Sequence, residues 1–177
     1  MGRRFRIALA VLVSAAGLAV AGPSTAASAQ TSGAEQFTGF LVVTRVSGER
    51  VVHASSIRAR GIFKGVGRIV EVPNLPTDPD NVSRDDLVFR AGTLHLISAD
   101  QDFQVNLNPH SCRAIVTIHQ TSTFDGGTGL FSGAHGTGSG TVNASVFLQR
   151  NSDGTCSNDL LPAPEIDRVS GTGTLTF

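Results

Sequence analysis

The chain has 177 residues, 14 basic and 14 acidic, and contains neither Trp nor Tyr. That balance offers no basic surface for nucleic acid or an anionic membrane. Without Trp and Tyr the chain lacks the rings on which extracellular sugar sites commonly stack their ligands.

The N-terminus reads "MGRRFRIALAVLVSAAGLAVAGPSTAASAQ". Three arginines precede an apolar run from Ile7 to about Val20, and small residues follow, ending in Ala27-Ser28-Ala29. This pattern predicts a signal peptide over 1–29, cleavage after Ala29 and an extracellular protein. The apolar run is short for a spanning helix, and no later segment could span a membrane. Arg3-Arg4 leaves general secretory and twin-arginine export both open. The leader carries three of the basic residues and no acid, so 148 residues remain with 11 basic against 14 acidic. That length predicts one domain with an ordinary core, over 37–177, behind a short flexible N-terminal segment, 30–36.

Beyond the leader the apolar pattern has period two, which predicts strands. "FTGFLVVTRV" (37–46) is the first, "SGE" (47–49) a turn, and "RVVHAS" (50–55) the return. "RARGIFKGVGRIVEV" (58–72) reads as one long strand with three internal glycines. "PNLPTDPDNVSRDD" (73–86) holds three prolines and reads as a loop. "LVFRAGTLHLIS" (87–98) is extended with a bend at Ala91-Gly92, and "DFQVNL" (102–107) follows before the turn "NPHS". "RAIVTIHQTSTF" (113–124) alternates cleanly, with Ala114, Val116 and Ile118 on one face and Ile115, Thr117, His119 and Thr121 on the other. "GTGSGTVNASVFLQR" (136–150) is a long strand, 151–167 a polar loop, and "RVSGTGTLTF" (168–177) the strand expected to close the sheet. About eight strands with turn punctuation predict an all-β fold, an antiparallel barrel or else a sandwich.

Cys112 and Cys156 each follow a turn sequence. In an exported chain such an even pair predicts a disulfide, which the chain-entropy model values at roughly 4 kcal/mol. A metal site would need more ligands at paired spacing than two cysteines supply.

"FDGGTGLFSGAHGTGSGTV" (124–142) carries seven glycines. The only Lys of the chain is Lys64, and no helix pattern follows the run, so it does not cradle phosphate. "FDGGTG" reads as the turn of a hairpin, with the later glycines in or just before a sharply coiled strand. The stretch resembles the "GG[ST]G-x-[FY]-x-G-x-x-G" hairpin of the allene oxide cyclase and dirigent barrels, with Gly126, Gly127, Thr128, Gly129, Phe131, Gly133 and Gly136 as matching positions. The resemblance implies an eight-stranded antiparallel barrel around an apolar cavity. One of those families cyclises a fatty-acid epoxide; the other orients phenoxy radicals. Over its mature length, including "RDDLVFRAGTLHLIS" and "NPHSC", the chain also resembles secreted proteins of high-GC Gram-positive bacteria.

No catalytic, cofactor or metal motif stands out among the five histidines and the acids. His95 and His119 alternate with aliphatics and so point to water or to a lumen. Asp85 and Asp86, adjacent on an extended chain, face opposite ways and cannot act as a coupled pair. Two functions remain. A filled barrel would be a stable extracellular scaffold working through the loops 73–86 and 151–167. An open one would hold a small apolar molecule or reactive intermediate in its lumen, and a continuous cavity of about 300 Å³ or more separates the two. No cofactor is expected, and the oligomeric state is open.

Overall fold

The computed structural model describes residues 30–46, 49–160 and 163–177. The predicted leader, and part of the turn at 47–49, lie outside them. Nine strands run β1 (Ser32–Val46), β2 (Glu49–Gly61), β3 (Lys64–Val72), β4 (Val82–Phe89), β5 (Gly92–Asn108), β6 (Arg113–Gly127), β7 (His135–Arg150), β8 (Cys156–Leu160) and β9 (Glu165–Thr176). Each of β1 to β6 pairs antiparallel with the next, β6 with β7, β7 with β9, and β9 with β1. That circuit is a closed eight-stranded antiparallel barrel. β8 lies outside it as a short flap on β7. No helix among the described residues is long and apolar enough to cross a membrane.

Closure by the last strand is as expected: β9 registers with β1 from Ser32↔Thr176 to Val43↔Glu165 and with β7 from His135↔Thr176 to Ser145↔Ile166. Several boundaries move. β1 begins at Ser32, not Phe37, so its first residues are paired. The long strand read over 58–72 is two strands, broken at Ile62-Phe63. Gly61 stands just before that break, but Gly65 and Gly67 lie within β3, so glycine alone does not mark it. The break is held from the neighbouring strand β1, where buried Glu35 accepts the Phe63 N–H at 2.9 Å and Ala34 O accepts the Ile62 N–H at 3.3 Å. The proline loop ends before Val82, and β4 takes in Ser83 to Asp86. The two segments at 87–107 become the end of β4 and a single β5, whose pairing with β6 shifts register between Leu94 and Leu96 and between Asp100 and Asp102. The polar loop 151–167 contains β8 and the start of β9.

The glycine run also folds differently. β6 continues through Gly127, and the turn is 128–134, built on a short 3-10 turn at Gly129–Phe131. The Gly126 N–H donates to Ala134 O at 2.7 Å, and Gly133 turns the chain with φ 77°, where a side chain is strained. This turn tucks under the barrel and drives Phe131, fully buried, into its end. Phe63, Phe89 and Phe177 surround that ring with centroids 5.1, 5.8 and 5.6 Å away, at tilted or edge-on angles favourable to aromatic pairs. Leu94 and Leu175, both fully buried, complete the plug. Just beyond, Gly138 faces Gly173 and Gly140 faces Gly171 across β7 and β9. A Cβ on Gly138 would lie 2.6 Å from the Thr172 carbonyl oxygen, so the two strands approach more closely than side chains allow.

Candidate functional site: the barrel lumen

Above the plug the barrel is not filled. A cavity of about 600 Å³ runs from Phe37 and Phe124 to the opposite end of the barrel. Its walls follow from strand alternation. On β6 the inward row is Val116, Ile118, Gln120, Ser122 and Phe124, which is the face that begins with Ala114 in the sequence pattern. Leu41, Ile57, Ile69, Leu87 and Leu96 bring aliphatics from β1 to β5, and the glycines of β7 and β9 leave room on the far side. Two lumen hydroxyls, Ser98 and Ser122, bond each other at 3.1 Å.

Two register shifts decide what the open end presents. Between Ile57 and Val52 the β2 strand gains an extra residue against β1, so Val52 and Arg50, not Val51, share the inward face with Val43 and Arg45. On β5 the shift at Gln101 turns Phe103, Val105 and Leu107 to the lumen side, opposite Ile118, Val116 and Ala114. β4 pairs with β5 only as far as Ala99, so these three side chains stand uncovered, Phe103 at 70 % exposure. They form an apolar ramp continuous with the cavity wall.

Opposite the ramp lies a charged cluster. Arg50 Nε donates to Glu71 Oε1 at 2.6 Å, and its two terminal nitrogens donate to Asp167 Oδ2 at 2.5 Å and Glu165 Oε1 at 3.4 Å. Arg45 Nε reaches the other Glu165 oxygen at 3.3 Å. Burial alone would lower the Arg50 pKa, but its bonds to Asp167 and Glu71 outweigh burial and hold it above the ordinary value. Asp167 is 2 % exposed, and its Oδ1 has no hydrogen-bond partner among the described residues. Glu165 is pushed up first by burial and then by the Asp167 charge beside it, against the pull of both arginines. Burial, helped by the Glu71 charge, pushes Asp85 up to about 6. Between β2 and β3 regular pairing covers only Ile57 to Arg60. Beyond it Ser55 Oγ donates to Ile69 O at 2.7 Å and accepts from the Ile69 N–H at 3.1 Å, bridging the seam with a side chain.

The residues singled out in the sequence fall elsewhere. Cys112 and Cys156 form a disulfide that ties the β5–β6 turn to β8. Gly126, Gly127, Gly129 and Gly133 lie in or beside the plugging turn, and Gly136 follows at the start of β7. Asp85 faces the lumen, whereas Asp86 faces outward and meets His95 Nδ1 at 2.6 Å. Arg84 binds Asp78 of the proline loop at 2.6 Å and 2.9 Å. No histidine lines the lumen, and no three His, Cys, Asp or Glu side chains among the described residues are grouped to hold a metal. Sequence reasoning missed Arg45, Arg50, Glu165 and Asp167. Glu165, Asp167 and Val169 share a face at period two, which was the available signal; the inward turn of Arg50 depends on the β2 register shift and had none.

No protein-family model, curated protein or solved structure matches the chain.

Proposed function

We propose that the protein is a binding barrel that holds a small, mainly apolar molecule in its lumen. The observation that carries this reading is the cavity of about 600 Å³, well within the range that encloses small ligands. A filled barrel acting only through its loops has no use for that space. The ramp of Phe103, Val105 and Leu107 supports the reading, since contiguous exposed apolar surface is uncommon without a binding role. So does the resemblance of the plugging hairpin to the allene oxide cyclase and dirigent barrels, whose members enclose apolar molecules. The leader pattern and the disulfide support export, with cleavage after Ala29 and a role outside the cell.

Native mass spectrometry of the protein recovered from culture medium tests both points. A processed chain starting at Gln30 with a bound lipid or phenolic mass is expected. The bound mass should disappear in Ser122→Phe, which fills the lumen from β6, while circular dichroism still reports a folded barrel. A ligand retained by that variant would place binding outside the lumen.

A further inference from the structure

We propose that the lumen ligand is an amphipathic cation, an apolar body carrying a primary or secondary ammonium that seats on Asp167. The proposal rests on the reading of the lumen as a ligand site and names what that site selects. Its first ground is Asp167, a buried side chain of the cavity wall whose Oδ1 has no hydrogen-bond partner among the described residues. A buried carboxylate oxygen left unpaired is costly, and natural structures seldom leave one so. Arg50 meets only the other oxygen, Asp167 Oδ2, while its remaining nitrogens turn to Glu71 and Glu165.

The second ground is charge. Glu71 on β3, Asp85 on β4, Asp100 on β5 and Glu165 with Asp167 on β9 line the lumen, against Arg45 on β1, Arg50 on β2 and Arg84 on β4, the last already paired with Asp78 of the proline loop. β6 and β7 add no charged lining residue; Gln120 of β6 donates to Asp100 at 2.7 Å. Carboxylates therefore outnumber guanidiniums five to three, and Arg84 is already neutralised by Asp78. An anionic ligand meets repulsion here, and a neutral one brings no charge to offset the carboxylates. An ammonium supplies the missing donor and charge, while its apolar body lies against Leu41, Ile57, Ile69 and Leu87 below. Because burial holds Glu165 and Asp85 above the ordinary carboxylate range, the cation's affinity should rise with pH as these groups ionise, through about 6 for Asp85.

The test is calorimetric titration of the folded protein with decylamine, 1-decanol and decanoate, each below its micelle concentration, at pH about 7.5 and about 5. Decylamine should bind at least about tenfold more tightly than 1-decanol at the higher pH, the scale of one charge-assisted hydrogen bond. Decanoate should bind worst, and the amine advantage should shrink at the lower pH. Asp167→Asn should reduce the amine's advantage to about threefold or less, with 1-decanol unchanged. Should that variant fail to fold, Asp85→Asn provides a second readout, with weaker amine binding and unchanged alcohol binding expected. The comparison of amine with alcohol on the wild-type protein decides in either case. Binding of 1-decanol or decanoate as tight as that of the amine overturns the cation proposal and leaves the lumen reading standing. Binding of none of the three overturns both.

Discussion

At one end of the barrel three phenylalanines close around the fully buried Phe131. At the other, Arg50 and its three partner carboxylates, Glu71, Glu165 and Asp167, stand around a cavity, and an apolar ramp is left bare beside it. The same strands build both ends, so the difference lies in which residues the alternation turns inward. The plugged end is apolar and dense, and its contribution is stability. At the open end, buried carboxyls, empty space and exposed apolar side chains all oppose folding, as is common where a protein has to receive something.

The largest effect should come from Phe131→Ala. It removes the centre of the plug and should cost about 4 kcal/mol in urea unfolding. Ile118→Ala, which trims a side chain already facing empty space, should cost only about 1 kcal/mol. Equal losses at both sites would erase the contrast between the two ends. Replacing Cys112 and Cys156 together by Ser should cost about 3 kcal/mol, through the freed span between β5–β6 and β8 at the open end. A thiol titration of the unreduced, unfolded wild-type protein should find no free sulfhydryl. Gly138→Val, at the close approach of β7 to β9, should lose about 2 kcal/mol despite the higher strand propensity of Val. An unchanged melting temperature there would mean that the two strands can separate without cost.

The smallest effect has the opposite sign. The folded-state pKa of Asp85 is raised to about 6, above its unfolded value, so ionisation there costs stability at neutral pH. The cost is present above about pH 6 and vanishes as pH falls below the unfolded value near 4. Asp85→Asn should therefore gain about 1 kcal/mol at neutral pH and nothing at about pH 4. A gain that persisted in acid would locate the strain elsewhere than in the carboxyl.

Clean alternation carried the barrel. Ala114, Val116 and Ile118 were readable as the inner row of β6, and the terminal "SGTGTLTF" as a closing strand, because each is set by neighbours two residues away. The turn at Ile62-Phe63 was not readable, since its anchor is Glu35 on β1, far off in the chain. The glycine run was recognisable as a hairpin, but its turn was placed too early; Phe131 pulls the reversal onto 128–134 by burying itself. The charged cluster was hidden for another reason. Its members come from β1, β2, β3, β4 and β9, and Arg50 joins them only because β2 slips register. Glu165 and Asp167 sat in a segment whose polarity suggested a loop, and burial of such residues makes sense only beside the arginines they face.

The pairing of β1 with β9 also sets an order in time. Thr176 must find Ser32, and Gly171 must find Phe37, across nearly the whole described chain. Every other neighbouring pair in the circuit except β7–β9 is a hairpin that can form as soon as its two strands exist. A chain synthesised from its N-terminus therefore holds β1 with one edge vacant until the last strand arrives. That edge is an invitation to other chains in the interval. Closure across such a separation is expected to be the slow event, in the millisecond-to-second range typical of non-local β pairing. Refolding followed by circular dichroism should show strand signal gained before resistance to protease, with Gly173→Val delaying the second and sparing the first. The longer β9 takes to arrive, the longer that edge stays open to other chains.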